Sequence, residues 1–311
     1  MSVNTKKLFP DFLLIGAGKS GTTSLHNYLD QHPDIYMSKI KEPYFFALEG
    51  EDIVPPEKDP YKLYDFPWAV TNLEEYNKLF EPAKEGQKKG ESSTMYLYGD
   101  KAPSNIKKYI PDVKIIAIFR KPSSRLYSRY LHLARENNLM GSSFDKVLDK
   151  NSIWWLRNDL VKEGFYYKHL SRYFKLFNED QIKIFLYDDL KKEPEKVIRE
   201  LYSFVGVDES FTPDVSIRFN QSGFVKNKAL DKLYGTDSVI FKSVKSAMPG
   251  VFNKLKENLV IQKGLNKLRG KNLERPKIDP EIEKKLTFDI YYEDTLKFQD
   301  LINRDLSHWL K

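Results

Sequence analysis

Three short apolar runs, each followed by a stretch with helical spacing, restrict the fold of this 311-residue chain more than any other feature. "FLLIG" (12–16) has the pattern of a buried strand closed by a glycine. "TTSLHNYLDQH" follows, with Leu25, Tyr28 and Leu29 at helical intervals and Pro33 beyond its end. "KIIAIFR" (114–120) is a second such strand, and a helix is predicted after it from about Pro122 to Asn138, with proline in its first turn. "IKIFLYDDL" (182–190) reads as a third strand, and "EPEKVIRELYSFVG" as a helix terminated by Gly206. Alternating strands and helices predict an α/β fold, a central parallel sheet flanked by helices on both faces. Ligands of such sheets sit outside the carboxyl ends of the strands, so the loops after "FLLIG" and "KIIAIFR" should carry the site.

The remaining sequence reads as parts of one domain spanning 1–311. An irregular insertion at about 48–75 is rich in proline, acid and aromatics. A segment at about 226–277, interrupted by Gly235, Gly250, Gly264 and Gly270, is expected to form short amphipathic helices. "EIEKKLTFDIYYEDTLKFQDLINRDL" (281–306) is expected to close the chain as one long amphipathic helix. With 41% hydrophobic and 14% aromatic residues the chain can bury a core, which excludes a disordered protein. The absence of cysteine excludes disulfides, thiolate metal sites and a cysteine nucleophile. "MSVNTKKLFPDF" lacks the apolar run of a secretory signal, and no stretch reaches the roughly 18 apolar residues of a spanning helix, so a cytoplasmic location is expected. The formal charge of +7 is concentrated: residues 226–277 hold 13 Lys and Arg against 4 Asp and Glu, a balance of +9 that leaves −2 elsewhere. A local anionic partner, such as a membrane surface or glycan, is expected there rather than nucleic acid.

"LLIGAGKSGTTSL" (13–25) resembles a phosphate-binding loop that breaks the triphosphate rule. Gly16 and Gly21 have the spacing of G-x-x-x-x-G-K-[ST], but Thr22 stands where the lysine belongs and Lys19 lies inside the loop. The physics of an anion site is still present, which makes the sheet P-loop-like. A helix opening at this point offers unpaired N–H groups and a partial positive charge. Ser20, Gly21, Thr22, Thr23 and Ser24 supply close backbone and hydroxyl donors, and Lys19 a full charge. A triphosphate enzyme also needs magnesium, held partly by an aspartate at another strand end. Here "KIIAIFR" ends in Arg120, a cation in that position. The expected ligand is a nucleotide whose charge is met by side chains, with no metal required.

In their order and spacing these motifs resemble the sulfotransferases that use 3′-phosphoadenosine 5′-phosphosulfate (PAPS), and among them the bacterial and heparan-sulfate branch. "KSGTTSL" matches the loop that binds the 5′-phosphosulfate, and "RKPSSRLYS" places Arg120 and Ser128 at the 3′-phosphate. Further marks are "KEPYFF" (41–46), "GESSTMYL" (90–97), "EGFYYKHLSRYFKLF" (163–177) and "LINRDLSHWL" near the end. The resemblance implies Glu42 as general base, before the paired phenylalanines. His132, four residues after Ser128 on one helical face, is the rival or helper, as in the N-sulfotransferases. Lys226 and Lys228, in "NQSGFVKNKAL" (220–230), fall where the family's late loop closes over the nucleotide. "GESST" has Ser92 where heparan-sulfate enzymes carry a lysine, a departure that argues against a polysaccharide acceptor. Arg125 and Arg129 are expected as surface cations or structural pairs, and His26, His32, His169 and His308 as structural or exposed.

The function implied is transfer of a sulfuryl group from PAPS to a hydroxyl, rather than an amine, of a glycan, lipid or small metabolite, leaving adenosine 3′,5′-bisphosphate. Lys19 would meet charge on the leaving phosphate. Two alternatives stand beside it: a P-loop kinase or other triphosphate enzyme with a degenerate loop, and a non-catalytic module that holds an anionic glycan or membrane surface.

Overall fold

The computed structural model describes residues 8–53, 66–135, 142–216, 223–227 and 270–311, with the isolated positions 230, 264 and 268. Five parallel strands form one sheet: β1 (Phe12–Leu14), β2 (Ile35–Met37), β3 (Lys88–Ser92), β4 (Lys114–Phe119) and β5 (Ile182–Leu186). Their order across the sheet is β2-β3-β1-β4-β5. Side chains alternate between faces along a strand, and both faces are covered, which is why the strands read as continuous apolar runs. Leu13, Ile115, Ala117 and Phe119 enter a core with Tyr166, Phe298 and Trp309 on one side. Phe12, Leu14, Ile116 and Ile118 enter another with Leu25, Leu29 and Leu201. The α/β, P-loop-like arrangement with helices on both faces is thus present.

Three local expectations are corrected, and two strands are added. The third strand stops at Leu186, because Tyr187–Lys192 turns helical with Asp188 and Asp189 in its first turn, where carboxylates favour the helix dipole. The C-terminal segment is not one helix. Helices Pro280–Lys285 and Tyr292–Leu301 are separated by a π turn at Leu286–Ile290. There the Tyr291 N–H donates to the Leu286 carbonyl at 3.0 Å, and the extra residue brings both buried side chains into one cluster. At the edges of the basic segment, Phe224–Val225 (β6) and Leu273–Glu274 (β7) pair antiparallel instead of forming helices. Finally, β2 and β3 were not expected at all. The expected helix after β4 runs Pro122–Arg135. Its end at 136–138, residues 54–65 of the insertion and most of the basic segment lie outside the described residues.

Candidate active site

The ladder between β1 and β4 continues past the strand end. The Ile15 and Ala17 N–H groups donate to the Ile116 and Ile118 carbonyls at 2.9 and 2.7 Å. The loops that leave these neighbours consequently open at one edge of the sheet. Lys19, Gly21, Thr22, Thr23 and Ser24 from the first loop, and Arg120, Ser128 and His132 from the second, line a single cleft of about 1040 Å³. Lys19 (φ 62) and Gly21 (φ 106) both adopt the left-handed conformation as the chain turns into the helix Thr22–Asp30. For lysine that conformation costs about 1–2 kcal/mol, so the surrounding structure must impose it. A Cβ added at Gly21 would lie 3.2 Å from both Leu190 and Tyr187. Tyr187 in turn carries the Arg120 guanidinium over its ring, 5.0 Å from the centroid. The two loops are therefore packed through one aromatic side chain.

Glu42 enters the same cleft from the segment after β2. Its backbone N–H donates to the Ser92 carbonyl at the tip of β3, at 2.8 Å. Glu42 (φ 64) and Tyr44 (φ 61) are also left-handed, an uncommon state for side-chain-bearing residues. The end of β3 holds this shape. Ser93 Oγ accepts from the Tyr44 N–H at 3.2 Å and donates to the buried carboxylate of Glu91 at 2.9 Å. Burial pushes the Glu91 carboxyl up to about 7. Glu42 itself pairs with Lys41 at 2.7 Å and accepts from the Tyr44 hydroxyl. Burial raises its pKa, but the Lys41 ammonium and the hydrogen bonds from Lys41 and Tyr44 outweigh burial and lower it overall. The carboxylate is thus ionised at neutral pH. Trp68, 46% exposed, donates its indole N–H to the Glu42 carbonyl at 3.2 Å and lines the cleft mouth with Phe66.

The same cleft is also lined by a network of paired, largely buried ions. Arg157 grips Asp159 with two bonds of 2.9 Å, and Arg129 donates to Asp159 Oδ2 from Nε at 3.1 Å and from Nη2. Burial opposes the Asp159 charge, yet the two guanidinium groups hold its carboxyl well below the usual range. Arg125 is fully buried and paired with Glu163 at 2.7 Å, so it is a structural partner and not a surface cation. Among the other histidines, His26, His32 and His169 are buried, and His308 is exposed and 3.2 Å from Asp188.

Two expected contacts are not brought into the cleft. Ser20 is fully buried beneath the loop, its N–H donated to the Ala17 carbonyl, and it does not line the cleft. Lys226 is exposed on the β6 ribbon away from the lining, although Arg275 and Pro276 from the opposite side of that ribbon reach it. Lys228 lies outside the described residues. Sequence reasoning missed Lys41, Trp68, Arg157, Asp159, Glu163 and Tyr187, all of which line the cleft. Tyr187 was discoverable, since it follows the tip of β5 by the rule that located the other loops. Asp159 gave no signal, because its partner Arg129 is 30 residues away, and Arg157 enters the cleft only through Asp159.

Comparison with known proteins places the chain in a family and a fold. The family model for a sulfotransferase domain matches residues 9–232. The chain is 27% identical over 241 residues to a bifunctional heparan sulfate N-deacetylase/N-sulfotransferase 1 of Caenorhabditis elegans, covering 74% of this chain and 26% of that protein. It is 27% identical over 227 residues to the bifunctional heparan sulfate N-deacetylase/N-sulfotransferase 4 of Mus musculus, covering 69% and 24% respectively. The chain therefore spans about a quarter of the length of these relatives. A sulfotransferase from Alicyclobacillus acidocaldarius superposes with a TM-score of 0.69 at 25% identity, covering 97% of this chain and 99% of that one. The sulfotransferase domain of the curacin biosynthetic pathway, 14% identical with a TM-score of 0.51, has the same fold. No described helix is long and apolar enough to cross a membrane. With the family model matched over more than half its length, the chain belongs to the sulfotransferase family, whose members draw their sulfuryl group from PAPS.

Proposed function

We propose that this chain transfers the sulfuryl group of PAPS to a hydroxyl or amine of a glycan, lipid or small metabolite. The observation that carries the reading is the placement of Lys19, Arg120 and Glu42 around one cleft, the first two at the tips of adjacent strands. The helix start at Thr22–Ser24 and Lys19 suit the 5′-phosphosulfate, while Arg120 and Ser128 suit the 3′-phosphate. Tyr187, Pro194 and Val215 offer an apolar end for the adenine. A volume of about 1040 Å³ is at the upper end of the ~300–1,000 Å³ usual for ligand pockets, which leaves room for an acceptor beside the donor.

In the transfer, the acceptor oxygen or nitrogen forms a bond to sulfur as the bond between sulfur and the bridging phosphate oxygen breaks. The electron pair leaves with adenosine 3′,5′-bisphosphate, and Lys19 meets that charge. The acceptor proton passes to Glu42, with His132 as the helper across the cleft. Positioning and charge stabilisation dominate such in-line transfers. Phe66 and Trp68 give the Glu42 side an apolar face for the acceptor. The curated relatives are named as N-sulfotransferases, which supports an amine as strongly as a hydroxyl. The basic segment 226–277 is assigned to an anionic glycan or membrane surface. Transfer of labelled sulfate from PAPS to a panel of glycan, lipid and phenolic acceptors tests the reading. Bisphosphate binding with no transfer to any acceptor would instead favour the non-catalytic alternative.

A further inference from the structure

The segment Glu163–Tyr166 touches both phosphate loops. Glu163 Oε1 accepts the Gly18 N–H at 2.6 Å, immediately before Lys19. Three residues later, the Tyr166 hydroxyl donates to the Arg120 carbonyl at 2.9 Å. Resting on the donor reading above, we propose that Glu163 and Tyr166 brace the two loops against each other, with Glu163 as the positioning residue that fixes Lys19.

The carboxylate is held from behind. Glu163 is 2% exposed, and its Oε2 pairs with Arg125 Nη1 at 2.7 Å. Arg125, 0% exposed, also donates to the Leu160 carbonyl. A buried ion pair of this kind adds little stability over apolar residues of the same volume, so its use must be sought in what it positions. Here it positions a backbone N–H. An amide that a phosphate loop would ordinarily aim at its ligand is committed to the protein, and the next residue, Lys19, takes the left-handed turn at φ 62. Gly18 is matched to the brace: a Cβ there would lie 3.1 Å from Glu163 Oε1. The far side of the segment is equally fixed. A Cβ at Gly164 would lie 2.6 Å from the Tyr291 ring, whose hydroxyl donates to the Val161 carbonyl at 2.9 Å. Asp294 accepts the Tyr167 and Lys168 N–H groups at 3.0 and 3.2 Å. A rigid segment bonded to both loops sets the distance between the two cations that grip the nucleotide.

Two double variants remove the ion pair equally and differ in the acceptor left for Gly18. Arg125→Met/Glu163→Gln keeps an amide oxygen, and Arg125→Met/Glu163→Leu removes it. After a check for native far-UV ellipticity, both are titrated with adenosine 3′,5′-bisphosphate by calorimetry. The glutamine pair should bind within about threefold of wild type and the leucine pair about 10- to 100-fold more weakly, the range for a lost hydrogen bond to a buried group. Equal affinities in the two variants overturn the proposal. Should the leucine pair not fold, hydrogen exchange of the wild-type Gly18 amide decides: slow exchange in the ligand-free protein is required, and exchange at an open-loop rate overturns the brace. Tyr166→Phe should weaken the bisphosphate severalfold, and unchanged affinity overturns the Arg120 half. If the wild-type protein fails to bind the bisphosphate, the donor reading falls, while Gly18 exchange still tests the brace alone.

Discussion

Replacing Arg120 with alanine should sharply reduce discrimination between adenosine 3′,5′-bisphosphate and AMP. The guanidinium is half-buried, lies over Tyr187 and lines the cleft beside Ser128. A planar fork on a phosphate makes two charge-assisted hydrogen bonds, each worth about 1.5–3 kcal/mol when dry and less when solvated. For this half-buried site the pair is worth about 2–3 kcal/mol, or about 30- to 150-fold in affinity at 1.4 kcal/mol per decade. AMP has no 3′-phosphate, so its binding should change by less than about threefold, the scale of small indirect effects. Calorimetry in the presence of chelator reads the bisphosphate, and saturation-transfer NMR reads the weaker AMP. A parallel loss of both ligands would refute the assignment, since Arg120 would then be supporting the first loop through Tyr187. Unchanged bisphosphate affinity would refute the contact altogether.

Glu42→Gln should leave bisphosphate binding intact and slow transfer by about 10²- to 10⁴-fold, as for loss of a positioned base. Stopped or steady-state transfer assays that find His132→Ala inactive and Glu42→Gln near wild type would exchange the two roles. His26 donates or accepts at Ser92 Oγ at 2.9 Å, and burial, aided by Lys41, lowers its pKa to about 3. The unfolded chain protonates this group first as pH falls below about 6.5, so His26 removes up to about 1.4 kcal/mol of stability per pH unit from there toward its folded value. Glu91 and Glu163, raised to about 7, slope the opposite way from about 4.5 to 7, so the informative quantity is wild type minus His26→Gln in denaturant melts at pH 6.5 and 5. No pH-dependent difference would remove the buried neutral histidine from the account. Neutralising lysines in 232–277, which spares Lys226 and Lys228, should reduce retention on anionic vesicles or heparin at low salt without altering bisphosphate affinity; unchanged retention would identify a solvated basic face.

The half of the cleft proposed to hold the donor was legible because it obeys local rules. A strand, a glycine turn and a helix start are contiguous in sequence, and so are β4 and Arg120. The half proposed to take the acceptor was legible only where the family resemblance pointed, at Glu42. Its supports come from β3, "KKGES", which begins with two lysines and contains a glycine and so carries no strand pattern. Gly90 is nevertheless suited to this interior strand, because the Phe12 ring of its neighbour lies over the position a Cβ would take. The three-residue β2 is too short to establish a period. The buried ions failed for another reason. Arg129 and Asp159 look like ordinary surface charges until the fold brings the segment after residue 142 against the helix Pro122–Arg135. The C-terminal helix was misread because a π turn shifts the helical face midway, which a continuous 3.6-residue pattern does not anticipate.

The central claim is that two protein cations, Lys19 and Arg120, grip a doubly phosphorylated adenosine at neighbouring strand tips. Thermal unfolding of the wild-type protein with adenosine 3′,5′-bisphosphate plus chelator, set against ATP plus magnesium, tests it most directly. At about 100-fold over its Kd the bisphosphate should add about 2.7 kcal/mol of stability without any divalent ion. Stabilisation by magnesium-ATP alone, with the bisphosphate inert, would contradict the account.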